Sequence, residues 1–156
     1  MKNAKKGFTL IEILIVVLII GVLAGVAIPQ YRLASGKAKF ATIKNVAKAI
    51  ADAEERYYIA NNKTYAPLDA LDITKPSDIS CLIWYQETMK AAMCEVKVNG
   101  IKMRYYHYFK NDVHSNKRLC LAFSLNTNDI ANRICQNDTG EKEGSVNKSG
   151  YITYWY

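Results

Sequence analysis

The hydrophobic pattern of the chain falls into three regimes. From Phe8 to Ile28 there are 21 residues, and Glu12 is the one charged side chain among them. Beyond Pro29, apolar residues recur at mostly three- and four-residue steps, at Leu33, Phe40, Ile43, Val46, Ile50, Ala53 and Tyr57. Lys37, Lys44, Lys48 and Asp52 fall largely off that stripe. The first regime predicts a helix that crosses lipid, because 21 residues at 1.5 Å each span roughly 31 Å, about one hydrocarbon core. The second predicts that the helix continues in amphipathic form to about Ala60, where Asn61-Asn62 closes it. Pro29 lacks a backbone donor and is expected to kink the helix. Gly21 and Gly25 weaken the same region by about 1 kcal/mol each relative to alanine. The expectation is one long helix over about residues 8–60, half in lipid and half lining a domain. Two helices broken at Pro29 are the alternative.

The third regime is short-period. Residues 61–80 are rich in turn formers and hold Pro67 and Pro76, which predicts a loop with one short helical turn. Cys94 to Val98 alternates, Asn99-Gly100 is a two-residue hairpin signal, and Ile101 to Tyr105 alternates again and runs on to Phe109. A third alternating run spans Leu119 to Leu125. Asn126 to Ile134 reads as a short helix, Gln136 to Gly150 as a loop and Tyr151 to Tyr156 as a weak final strand. The fold class is therefore α+β, a long N-terminal helix packed on a small antiparallel sheet.

Composition changes this picture in two places. The 156 residues carry 21 Lys and Arg against 14 Asp and Glu, for a formal charge of +7, but the basic residues form no clustered recognition pattern. Specific nucleic-acid binding is not predicted. The four cysteines, Cys81, Cys94, Cys120 and Cys135, include no C-x-x-C pair and suit disulfides better than zinc. Three pairings are open. Cys81–Cys94 with Cys120–Cys135 is favoured, each closing a loop worth about 3 kcal/mol in the chain-entropy model.

Catalytic signals are poor. His107 and His114 are the only histidines, and no Ser-His-Asp or Cys-His set can be assembled around them. Asn137-Asp138-Thr139-Gly140-Glu141 and Glu143 are oxygen-rich but do not follow a calcium-loop spacing, so neither metal nor cofactor is expected. Asn62, Asn137 and Asn147 each open an N-x-[ST] triplet, a weak glycosylation signal. The eleven tyrosines read mainly as amphipathic core and interface residues.

Lys5-Lys6-Gly7-Phe8-Thr9-Leu10-Ile11-Glu12 resembles the leader and cleavage site of type IV pilins and of type II secretion pseudopilins. Ile28-Pro29-Gln30-Tyr31 resembles type IV pilins more than pseudopilins. The strong part covers about residues 5–31, and the remainder agrees only in layout. The resemblance implies cleavage by a prepilin peptidase after Gly7 and N-methylation of Phe8. It makes residues 1–7 a leader, 8–29 a transmembrane and assembly segment, 30–60 an amphipathic helix half, and 61–156 an αβ-loop, sheet and disulfide-bonded region. Removing Lys2, Lys5 and Lys6 would lower the formal charge from +7 to +4. An ordinary secretory signal is cut after its apolar part; here the cut precedes it, so the apolar helix would survive processing.

A carboxylate inside the bilayer costs roughly 2.5–3.5 kcal/mol on insertion scales and usually has a partner. The resemblance implies that Glu12 neutralises the new amino terminus, Phe8, of a neighbouring subunit during fibre assembly. One helical turn spans about 3.6 residues, so Phe8 and Glu12 are expected on the same side of one helix, and the pair could form within one chain or between chains. The resemblance also implies that the segment around Gly21, Gly25 and Pro29 loses regular helix in the fibre. The implied protein is no enzyme but a structural subunit of a homopolymeric pilus, held in the inner membrane before ATP-driven machinery assembles it outside the cell. A pseudopilin or a minor pilin is the alternative.

Overall fold

The computed structural model describes residues 7–62, 64–86, 89–110, 114–115, 117–147 and 149–156. Residues 1–6 of the expected leader, and residues 63 and 148 inside two of the N-x-[ST] triplets, lie outside the described residues. The chain divides into two units, Met1–Ala34 and Ser35–Tyr156. Helix α1 (Leu10–Ala60) begins in the first and ends in the second, with Pro29 inside it. It starts two residues later than expected, at Leu10, because Thr9 caps it.

In the first unit the helix is solvent-facing almost all round, with Leu10 83% and Leu23 64% exposed. In the second unit, α1 buries Gly36, Phe40, Ile43, Ala47, Ile50, Ala51, Ala53 and Glu54. Phe40, Ile43, Ile50 and Ala53 are stripe residues read from the sequence. Leu33, Val46 and Tyr57 are only half-buried, and the small residues Gly36, Ala47 and Ala51 take the closest contacts instead. A Cβ on Gly36 would sit 2.7 Å from Val98 Cγ1 and 2.8 Å from Ile134 Cδ1, so the backbone approach there requires glycine.

This half of α1 packs on a six-stranded sheet in the order β1-β2-β3-β4-β6-β5, every pairing antiparallel. The strands are β1 (Ser80–Gln86), β2 (Met89–Val98), β3 (Ile101–Tyr108), β4 (Arg118–Ala122), β5 (Ser145–Val146) and β6 (Ile152–Trp155). Phe40 meets Tyr105 edge-to-face at 6.0 Å, which marks the helix-facing side. The hairpin turn has Asn99 at φ 52° and Gly100 at φ 84°, the two left-handed residues that Asn-Gly supplies. β1 was not foreseen: Leu82-Ile83-Trp84 has no alternation, and the strand is defined by its pairing along β2. β4 stops at Ala122, short of Leu125, because Ser124 turns away to hydrogen-bond with Asp129.

The second helix, α2, spans Ile130–Thr139 rather than beginning at Asn126. Asn126 and Asn128 instead build a side-chain turn, with Asn128 N donating to Asn126 Oδ1 at 3.0 Å and Asn126 Nδ2 donating to Asp129 Oδ1 at 3.2 Å. The helix consequently extends into the stretch expected to be loop, and stops at Gly140, which has φ 83°. Residues 68–70 form the single 3-10 turn of the 61–80 loop.

Both disulfides are present, Cys81–Cys94 and Cys120–Cys135, the pairing favoured from the sequence. The first joins directly opposed residues of β1 and β2, and the second pins α2 to β4. Buried Asn132 completes that junction. Its Oδ1 accepts from Tyr154 OH at 3.0 Å and its Nδ2 donates to the carbonyls of Ser124 and Asn126.

Candidate processing and assembly site

The candidate site lies at the start of α1. Gly7 and Phe8 precede the helix, Phe8 is 84% exposed, and nothing lies within 4 Å of a Cβ built on Gly7. An unhindered, exposed dipeptide of this kind can enter a protease cleft. Phe8 is not helical, so the turn-counting that placed it beside Glu12 does not apply.

Glu12 instead faces Thr9. The Thr9 backbone N–H donates to Glu12 Oε2 at 2.8 Å, and the Thr9 hydroxyl donates to the same oxygen at 2.8 Å. The Glu12 N–H approaches Thr9 Oγ1 at 3.3 Å. This is a capping box, in which N-cap threonine and the glutamate at the third helical position satisfy each other's backbone donors. The signal was present in the sequence as Thr-x-x-Glu before an apolar run, and the reading of Glu12 as a stranded charge overlooked it. Both contacts use Oε2. Oε1 has no hydrogen-bond partner among the described residues and is open to a donor from outside the chain.

Gly21, Gly25 and Pro29 fall at four-residue steps within α1, on one side of the helix. Pro29 cannot donate to the carbonyl of Gly25, so the helix passes this point without one of its ladder bonds. A Cβ at Gly21 or Gly25 would meet nothing within 4 Å. Among the described residues no close contact requires glycine at these two positions. Among the described residues, one helix is long and apolar enough to cross a membrane, and it is this one.

Among the described residues, no group of three or more His, Cys, Asp or Glu side chains is placed to hold a metal ion. His107 lies half-buried in β3, where burial pushes its imidazole pKa down, partly opposed by Asp52. His114 stacks on Trp155 at 5.7 Å. Asp138, one of the oxygen-rich residues considered for calcium, accepts from Lys44 at 2.7 Å and from the Tyr156 hydroxyl. Sequence reading missed Glu54, which is fully buried. Its Oε1 accepts from Ala66 N at 2.6 Å and from Tyr85 OH at 3.4 Å, tying the loop after α1 to the helix. Its Oε2 has no partner among the described residues. Burial pushes the Glu54 carboxyl above its ordinary range, against the two donors that pull it down.

A family model described as the prokaryotic N-terminal methylation motif matches residues 2–28. The chain is 69% identical over 32 residues to the type IV major fimbrial protein FimA of Dichelobacter nodosus, covering 20% of each chain. It is 38% identical over 63 residues to the type IV major pilin protein PilE1 of Neisseria gonorrhoeae, 40% of this chain and 38% of that one. It is 39% identical over 79 residues to the type II secretion system core protein G of Pseudomonas aeruginosa, 49% of this chain and 55% of that one. The chain thus spans from a fifth to about half the length of these relatives. No solved structure matches it. The relatives are fimbrial and secretion-system proteins rather than enzymes. Residues 2–28 thus carry the prokaryotic N-terminal methylation motif, and the chain, with its long apolar helix and α+β body, is similar over its matched part to type IV pilins and to a type II secretion core protein.

Proposed function

We propose that this chain is the structural subunit of a type IV pilus, cut after Gly7, N-methylated on Phe8 and polymerised through α1. The observation that carries the reading is the entry to α1: an exposed Gly7-Phe8 junction, then a capped helix whose apolar side chains are turned outward on every side. A helix apolar all round needs lipid or other helices around it. The membrane provides the first environment before assembly and neighbouring subunits the second. Glu12 is the polar exception. With Oε2 held by Thr9, Oε1 is available to the ammonium created at Phe8 of another subunit, and methylation preserves that ammonium's charge. The peptidase, the methyltransferase and the ATP-driven assembly machinery are the partners this requires.

The experiment is mass spectrometry and electron microscopy of sheared surface fibres, with Glu12→Val alongside. Expected are fibres containing this polypeptide from a methylated Phe8, and a Glu12→Val chain that enters the membrane normally but yields few fibres. An intact Met1 on the fibre chain, or normal fibres from Glu12→Val, overturns the reading.

A second reading has its own observation. The similarity to the type II secretion system core protein G runs over 79 residues, well past the apolar segment. On that reading the same helix chemistry builds a short secretion pseudopilus. Loss of an exported protein without loss of surface filaments, on deleting the chain, favours it.

A further inference from the structure

The sheet face turned away from α1 carries a groove of about 400 Å³. Its floor is the buried cluster Ala91, Tyr108 and Leu119, with Tyr106 and Trp155 packed against it. Along β3, Tyr105 points to the helix and Tyr106 to this opposite face, as strand alternation requires. The aromatic rings of the groove are arranged in series. Tyr106 stacks with Tyr108 at 6.4 Å and 21°, and Tyr108 with Trp155 at 5.8 Å and 21°. Trp84 closes one side, edge-on to Tyr106 at 6.5 Å and 78°. The sequence holds two tryptophans, and both line this groove.

The polar part of the lining includes the imidazole of His114, which stacks on Trp155 at 5.7 Å. Gln86, Asn147 and Thr153 present carboxamides and a hydroxyl at the edge. The Asn147 Oδ1 accepts from Ser149 N at 3.3 Å, which fixes its orientation. Among the described residues no Asp, Glu, Lys or Arg lines the groove, in a chain whose formal charge is +7. Lys117 Nζ lies 6.0 Å from the Trp155 ring, and Arg104, which hydrogen-bonds with Tyr106, is paired with Glu95 at 2.8 Å. A nucleic acid would need a basic track beside such rings, and an acidic or basic peptide would need a counter-charge.

We propose that this groove binds a neutral oligosaccharide. A pyranose ring presents C–H groups on its faces, slightly positive and apolar, which pack on the negative face of an indole or phenol. Its hydroxyls project sideways, where a carboxamide donates and accepts at once. Partly exposed aromatic rings, neutral hydrogen-bonding groups at the edge and a volume in the range of small-molecule sites meet those requirements together. The site lies on the sheet face opposite Phe40 and the buried half of α1.

The two tryptophans make the groove report on itself. Full-length protein in detergent is titrated with cellotetraose, chitotetraose and N-acetyllactosamine while tryptophan emission is followed. At least one is expected to give a saturable change, and a decathymidine oligonucleotide is expected to give none. Asn147→Ala, an exposed position, should weaken the binding about fivefold or more, the value of one lost hydrogen bond. Trp84→Phe should keep the native circular dichroism and shift both the affinity and the emission change. Three results overturn the proposal: no saturable change with any of the sugars up to about 10 mM, where even millimolar affinity registers; a change with the oligonucleotide but not the sugars; or an emission change on concentrating the protein alone, which would make a second copy of the chain the occupant.

Discussion

Glu54→Gln alters one atom of a fully buried side chain and almost none of its volume. In the wild type, Oε1 accepts from the buried Ala66 N–H at 2.6 Å, and Oε2 is buried without a partner among the described residues. Burial raises the folded-state pKa above the ordinary 4.5. A carboxyl raised on folding holds its proton more tightly in the native state. Its stabilising contribution is therefore complete below about 4.5 and is lost as pH rises through the folded value. Each unit of upward displacement corresponds to about 1.4 kcal/mol of stability lost over that window. Glutamine does not titrate. It can keep the acceptor for Ala66 N–H, and its NH2, like the O–H of the protonated wild-type acid, finds no partner at the Oε2 position among the described residues. At pH 4 the two proteins should thus be of similar stability. As pH rises toward 8, wild type should lose stability relative to Glu54→Gln as Glu54 ionises in the buried site. Urea unfolding of the full chain in detergent, followed by near-ultraviolet circular dichroism at several pH values, measures this. Glu95, which burial would raise but Arg104 and Lys102 pull down overall, and His107, which burial pushes down, titrate in both proteins and cancel in the difference. A wild-type-minus-variant stability difference that is flat or rises with pH refutes the argument.

Other expectations follow from single contacts. Thr9→Val keeps the shape of Thr9 but removes the hydroxyl that bonds Glu12, at a cost of about 1 kcal/mol at the helix entry; fibre yield in a shearing assay should fall between wild type and Glu12→Val. Removing the Cys120–Cys135 bridge, which closes 15 residues, with the double change to alanine should lower unfolding stability by about 3 kcal/mol. Native-state hydrogen exchange should then rise first in α2. Gly36→Val puts side-chain atoms where Val98 and Ile134 already stand within 3 Å of a Cβ, and should cost about 2 kcal/mol or more in the same urea assay.

The sequence made some parts of this molecule legible because one physical rule governed them. The apolar run from Phe8 to Ile28 has no competing reading, and Asn99-Gly100 fits the backbone signs its turn requires. The disulfides follow from sequence-neighbouring cysteines that the sheet and α2 bring together. Where two rules competed, the local one was misread. Asn126, Asn128 and Asp129 look like a helix start but satisfy one another as a turn, so α2 begins at Ile130. β1 has no pattern of its own, because an edge strand tied by a disulfide needs none. The groove was invisible because Trp84, Tyr106 and Trp155 lie far apart in sequence and converge only through strand order.

Glu12 and Glu54 show the same limit most directly. Both are acids within an apolar stripe of the same helix. Glu12 stands out because both its sequence neighbours are aliphatic, yet it is exposed and one of its oxygens is held by Thr9. Glu54 is hidden in the sequence by Asp52, Glu55 and Arg56, which mark its surroundings as a solvated face. The buried positions Gly36, Phe40, Ile43, Ala47 and Ile50 step by four, three, four and three, and the next step of four lands on Glu54. Extending that ladder, instead of following hydrophobicity alone, would have placed a carboxylate in the core and posed the question of its partner. The answer, an N–H twelve residues on in a loop with no periodicity, belongs to the tertiary structure. Spacing could expose the oddity of Glu54, and only the fold could explain it.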